Sequence, residues 1–140
     1  MNHKHSAQAT DAFELATAAM NKAYAPYSGF KVGAVIEAAN GKLYSGCNVE
    51  NAAYPQGCCA EASAISAMIM DGESSISAIT VIGAGDSLIT PCGGCRQRIR
   101  EFAADDTPIH LCSPAGVEKT LTLGDLLPMS FGPEHIESEK

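Results

Sequence analysis

The spacing of apolar residues alternates between a period near 3.6 and a period of 2 along this chain, and the order of the switches points to a layered α/β fold. From Thr10 to about Tyr24, Ala12, Phe13, Leu15, Ala16, Ala19, Met20 and Ala23 recur at intervals of three and four. With Thr10 or Asp11 as cap and Pro26 as the stop, this predicts an amphipathic helix. Pro26-Tyr27-Ser28-Gly29 is turn chemistry, after which Phe30, Val32, Ala34 and Ile36 alternate on one face of a strand reaching Ala38. Asn40-Gly41 predicts a hairpin into a second strand from about Lys42 to Gly46. Residues 48–57 show no period and are rich in hydrogen-bonding groups, as expected of a loop at a functional rim. A helix from Cys59 to about Met70 is apolar almost all round, so it is expected to be buried. A β-branched strand at Ile76–Ile82, a helix growing out of turn residues between Pro91 and Ala104, and a strand at Ile109–Cys112 complete the alternation. A further strand near Glu118–Leu123 and a helical turn at Gly124–Leu127 follow. The order predicts an α/β domain built on a mixed sheet.

A chain of 140 residues that is 46% hydrophobic can bury one core, and no repeat or low-complexity tract divides it. One domain over 10–136 is expected, with a flexible tail at 1–9 and a short one at 137–140. The longest apolar runs, such as Ala78 to Ala84, fall far short of the roughly 20 residues needed to cross a bilayer. The polar opening MNHKHSAQAT has no apolar stretch ending in a cleavage site, which suits a cytoplasmic protein. Sixteen acidic against nine basic residues give a formal charge of −7, with the few cations scattered. A phosphate-tracking groove, and with it a polymeric nucleic acid substrate, is disfavoured.

Six cysteines could form disulfides, but nothing marks the chain as secreted and two stand as Cys92-Gly93-Gly94-Cys95, so metal binding is the better reading. Cys59-Ala60-Glu61 opens one predicted helix and Pro91-Cys92-Gly93-Gly94-Cys95 opens the next. Three thiolates from two helix starts can hold one zinc and leave a fourth tetrahedral position open, the pattern of catalytic sites. Free amide N–H groups at helix N-termini favour the anionic sulfurs. Glu61, two residues past Cys59, can stand beside the metal as a proton shuttle without ligating it. Cys58 is a rival ligand by adjacency, but only Cys59 has the one-residue spacing to Glu61. A redox pair or structural zinc knuckle is the alternative for Cys92 and Cys95. Cys47 and Cys112 are expected in the core, and His3, His5 and His110 are poor ligand candidates.

With these motifs in order, the chain resembles the homotetrameric type of zinc-dependent cytidine deaminase over nearly its whole length. The resemblance rests on Cys-Ala-Glu and Pro-Cys-Gly-Gly-Cys-Arg-Gln, joined by Pro26-Tyr27-Ser28, Phe30-Lys31-Val32-Gly33-Ala34, Asn48-Val49-Glu50-Asn51-Ala52-Ala53-Tyr54-Pro55, Leu127-Pro128 and Ser130-Phe131-Gly132-Pro133-Glu134. It implies a three-layer α/β/α domain with a mixed sheet of about five strands, and one zinc per chain held by Cys59, Cys92 and Cys95. Glu61 would be the catalytic proton carrier in hydrolytic deamination of free cytidine and 2'-deoxycytidine, a reaction of pyrimidine salvage. Asn48 and Glu50 would bind the ribose 3'-hydroxyl, Phe30 and Ala60 would line the substrate pocket, and Ala52, Tyr54 and Phe131 would reach a site shared between subunits of a homotetramer. A blasticidin-S-type deaminase shares the cysteine motifs, but Asn48-Val49-Glu50-Asn51 and Phe131-Gly132-Pro133-Glu134 favour cytidine.

One position departs from the resemblance. The family often places Arg directly after the catalytic Glu, against the zinc thiolates, and this chain has Ala62. Three thiolates on a dication carry a net −1, so the two helix N-termini, with Arg96, are expected to compensate.

Overall fold

The computed structural model describes residues 3–136, with side-chain surroundings described from Thr10 onward. In chain order the elements are α1 (His3–Asn21), β1 (Val32–Ala38), β2 (Leu43–Cys47), α2 (Ala60–Met70), β3 (Ile76–Gly83), α3 (Gly93–Arg100), β4 (Pro108–Ser113), β5 (Gly116–Thr122) and α4 (Leu123–Leu126). The strands form one sheet in the order β2-β1-β3-β4-β5. β1 pairs antiparallel with β2 and β3, β3 pairs parallel with β4, and β5 closes the edge antiparallel to β4. The mixed five-stranded sheet expected from the sequence is present.

Side chains leave a strand alternately to its two faces, and here both faces are covered. Ala34, Ile36 and Ala38 of β1, Ile79 and Val81 of β3, and Ile109 and Leu111 of β4 pack with Ala64, Ile65 and Met68 of α2 and Ile99 of α3. Val35, Ile82 and Cys112 point the other way, onto Ala12 and Ala16 of α1. This is the three-layer α/β/α arrangement, and Cys112 lies in its core as expected. Burial pushes the Cys112 thiol up to about 11.

Several expected boundaries move. α1 begins at His3, two turns before Thr10, so residues 3–9 continue the helix rather than forming a tail. The segment holds Ala7, Gln8 and Ala9, good helix formers, and no Gly or Pro. Residues 1–2 and the expected tail at 137–140 lie outside the described residues. α2 is not buried all round, because as an outer layer it meets the sheet on one side only. Ile69 and Met70 are exposed at its end. Phe30 precedes β1 instead of opening it, because Asn48 occupies the backbone groups there. Its Oδ1 accepts from Val32 N at 2.8 Å and its Nδ2 donates to Phe30 O at 2.9 Å. The hairpin turn at Asn40-Gly41 is as expected, with Gly41 at φ +88°, a conformation glycine adopts without steric penalty.

The register places the site. Val32 at the start of β1 lies opposite Gly83 at the end of β3, and Gly33 lies opposite Cys47 at the end of β2. The carboxyl ends of β2 and β3 therefore meet at one edge of the sheet, and the chain passes from them into α2 and α3. Ligand sites of open α/β sheets form at such carboxyl ends.

Candidate active site

Cys59 is the N-cap residue of α2 and Cys92 that of α3, both with extended backbone, and Cys95 lies in the first turn of α3. Their sulfurs all lie within 4.8 Å of one another, the only such group of possible ligands among the described residues. Tetrahedral zinc with sulfur at about 2.3 Å sets its ligands about 3.8 Å apart, so closing onto an ion needs shifts of at most about 1 Å. Burial pushes the Cys59 and Cys95 thiols up, and the neighbouring acidic groups push them further. The backbone N–H of Cys95 draws the Cys92 thiol down. A divalent cation among the three sulfurs relieves this mutual repulsion, and the soft donor set suits zinc. Cys58, the rival ligand, is exposed and stands outside the cluster, with its Sγ 3.5 Å from Ser63 Oγ.

Glu61 is buried in the first turn of α2, only 4% exposed. Burial raises its pKa, while its own amide, the Cys95 thiol and the Arg98 guanidinium act in the opposite sense. A carboxyl poised upward in this way suits reversible proton transfer near neutral pH.

A cavity of about 390 Å³ adjoins these groups, lined by Phe30, Val32, Asn48, Glu50, Ala60 and Glu61 together with Cys59 and Cys92. That volume is of the order of small-molecule sites. Glu50 is held in place: its Oε1 accepts from Tyr27 N at 2.9 Å and Ser28 N at 3.1 Å, and its Oε2 accepts from the Ser28 hydroxyl. The Ser28 hydroxyl, followed by these amides, holds its carboxyl below the usual range. The loop at 48–58 is tied at both sides, by Glu50 N donating to Tyr24 O and by paired bonds between Val49 and Cys58. The aperiodic sequence thus rests on a fixed frame.

The expected residues fall in three places. Phe30, Asn48, Glu50, Cys59, Ala60, Glu61 and Cys92 line one cavity. Tyr54 lines an adjoining hollow of about 340 Å³ that shares Ser28 and Glu50. Ala52 and Phe131 are exposed and line neither. Phe131 sits on the C-terminal segment, whose carbonyl accepts from Gln97 Nε2 at 2.9 Å.

The charge-compensating role expected of Arg96 is not what the structure places there. Its Nε donates to Pro91 O at 2.8 Å, its Nη1 to Leu126 O at 2.8 Å and its Nη2 to Thr90 Oγ1 at 2.7 Å, so it fixes the loop that delivers Cys92. The cation in contact with a cluster sulfur is Arg98, whose Nη1 lies 3.5 Å from Cys95 Sγ. The signal for it was the three-residue spacing from Cys95 on a helix, which brings the two side chains together.

Residues 6–111 match the family model of the cytidine and deoxycytidylate deaminase zinc-binding region. A cytidine deaminase of Sporosarcina psychrophila is 40% identical over 118 residues, 84% of this chain and 87% of its own. One from Mycobacterium tuberculosis is 36% identical over 126 residues, 89% of this chain and 90% of its own. The crystal structure of cytidine deaminase from Burkholderia pseudomallei superposes with a TM-score of 0.81 at 41% identity, covering 87% of this chain and 98% of that one. Sequence, fold and the three-cysteine cluster agree, and the chain belongs to the cytidine and deoxycytidylate deaminase family, whose zinc-binding region it carries.

Proposed function

We propose that this protein hydrolytically deaminates free cytidine and 2'-deoxycytidine to uridine and 2'-deoxyuridine, releasing ammonia. The observation that carries the reading is the buried Glu61 carboxyl, in contact with Cys95 of the three-sulfur cluster and lining, with Cys59 and Cys92, a cavity of about 390 Å³. The relatives at 36–41% identity are cytidine deaminases, so the blasticidin-S alternative is not favoured. The net charge of −7 suits a small neutral substrate better than a polyanion.

Cys59, Cys92 and Cys95 would hold the zinc, which would supply Lewis acidity for activating a water near neutral pH. Glu61 would accept a proton from the attacking water and pass it to ring N3 as the oxygen bonds to C4. Glu61 then carries the remaining hydroxyl proton to the exocyclic amine, the C4–N4 bond breaks, and ammonia leaves with the C4 carbonyl formed. The upward pull of burial on Glu61 favours the protonated form this second transfer requires. Asn48 and Glu50 orient the sugar through its 3'-hydroxyl, and their bonds to residues 27–32 limit how far either can swing. Phe30 and Ala60 bound the base. Ala52, Tyr54 and Phe131, exposed on one chain, are read as completing a neighbour's site in a cytoplasmic homotetramer. A single domain over 10–136 carries the whole set. Among the described residues, no helix is long and apolar enough to cross a membrane.

The test pairs zinc stoichiometry with turnover of cytidine, 2'-deoxycytidine and blasticidin S. One zinc per chain with turnover of both pyrimidine nucleosides is expected. Glu61→Gln should keep the zinc and lose at least the roughly 10²–10⁴-fold that general acid–base catalysis contributes. Retained activity in Glu61→Gln, or turnover of blasticidin S alone, would overturn the reading.

A further inference from the structure

Three thiolates around a dication sum to −1, and the acidic Glu61 carboxyl lies close enough to raise the Cys95 thiol further. The amide ends of α2 and α3 offset this with roughly half a positive charge each. Arg96 directs its guanidinium away from the sulfurs, with all three nitrogens engaged on Pro91, Leu126 and Thr90.

Arg98 stands differently. It lies one helical turn after Cys95, and a helical side chain leans toward the N-terminus of its helix, which carries the guanidinium back over Gly94 and onto Cys95 Sγ at 3.5 Å. Arg98 also lines a hollow of about 390 Å³ together with Ala62 of α2, the residue after Glu61. The methyl side chain at 62 leaves this hollow open, and a long side chain there would reach into it from the opposite helix. A guanidinium is charged at every accessible pH and is weakly hydrated, so it suits a lasting contact with sulfur at a partly covered position.

Resting on the zinc-site reading above, we propose that Arg98 is a positioning residue for the metal centre: through Cys95 Sγ it supplies the fixed counter-charge of the three-sulfur set, from α3 rather than from position 62. Arg98 does not line the cavity that Glu61 lines. Its contact draws electron density from the Cys95 sulfur, which leaves the bound metal the stronger Lewis acid, and its charge stabilises the anionic loaded site.

The experiment is zinc affinity by chelator competition on the full chain without substrate, for wild type, Arg98→Ala, Arg98→Gln and the double variant Ala62→Arg/Arg98→Ala. Arg98→Ala and Arg98→Gln should each bind zinc roughly tenfold more weakly or worse, the usual scale for a lost partner of a metal ligand. The double variant should regain most of that loss, because its new guanidinium enters the same hollow. In the cobalt(II)-loaded proteins the thiolate-to-metal charge-transfer band should shift in Arg98→Gln and return in the double variant, which a purely structural role would not produce. Arg98→Gln keeps the bulk and a hydrogen-bond donor, so it reads the charge even if Arg98→Ala folds poorly. Wild-type affinity in Arg98→Gln, or a double variant no tighter than Arg98→Ala, would overturn the proposal alone. A wild-type chain that binds no zinc would overturn the metal-centre reading and the proposal with it.

Discussion

Gly46 sits in β2 where the first turns of α2 cross it. A Cβ built there would lie 2.5 Å from Ala60 O, 2.5 Å from Ala64 N and 2.8 Å from Ser63 Cβ. Ordinary contact starts near 3.4 Å, so Gly46→Ala is about 0.9 Å short of room against backbone that cannot rotate away. The helix must lift from the sheet, and it carries Cys59 at its N-cap and Glu61 in its first turn. Cys92 and Cys95 belong to α3 and are not lifted with it. Overpacking of this kind costs about 1–3 kcal/mol of stability. A displacement near 1 Å between a catalytic group and its partners costs on the order of 10²-fold in rate. Urea unfolding of the zinc-loaded protein should therefore show a lowered midpoint at unchanged slope, and cytidine turnover should fall about 10–100-fold in kcat. Zinc should also exchange faster to a chelator. Wild-type stability together with wild-type kcat in Gly46→Ala would refute the claim that this close approach sets the geometry between the two helix starts.

Three further outcomes are expected. Arg96→Lys, which cannot reproduce three guanidinium hydrogen bonds, should lose about 2–3 kcal/mol of stability and loosen zinc, and an unchanged denaturation midpoint would count against its loop-fixing role. Cys58→Ser should retain one zinc per chain while Cys59→Ser loses it, and the reverse result in metal analysis would reassign the ligand. In the metal-free chain Glu61 has a raised pKa, so its contribution to stability is full below the unfolded value near 4.3 and is lost as pH rises through the higher folded value. Denaturation curves of metal-free wild type and Glu61→Gln between pH 4 and 8 should diverge in that direction, and parallel curves would show that Glu61 is not desolvated as described.

Much of the fold was legible in the linear pattern. A period of 3.6 located α1 and a period of 2 located β1, because a helix on a sheet and a half-buried strand impose those spacings, while the hairpin turn, β-branched runs and turn residues located the other elements. Boundaries were less legible. The extension of α1 to His3 follows from helix propensity without an apolar stripe, and the start of β1 at Val32 depends on Asn48, 16 residues away, taking the preceding backbone groups. Cys59, Cys92, Cys95 and Glu61 could be grouped from their spacing together with the family resemblance, because three sulfur donors near two helix starts suit one zinc. Only the tertiary structure decided how the charge around them is arranged. The three-residue interval from Cys95 to Arg98 offers their contact once the segment is helical, but that Arg96 is drawn away to the loop depends on the carbonyls of Pro91 and Leu126, the second of them thirty residues distant. Residue types and intervals determine what chemistry a chain can assemble, whereas the direction of each side chain depends on contacts between segments distant in sequence.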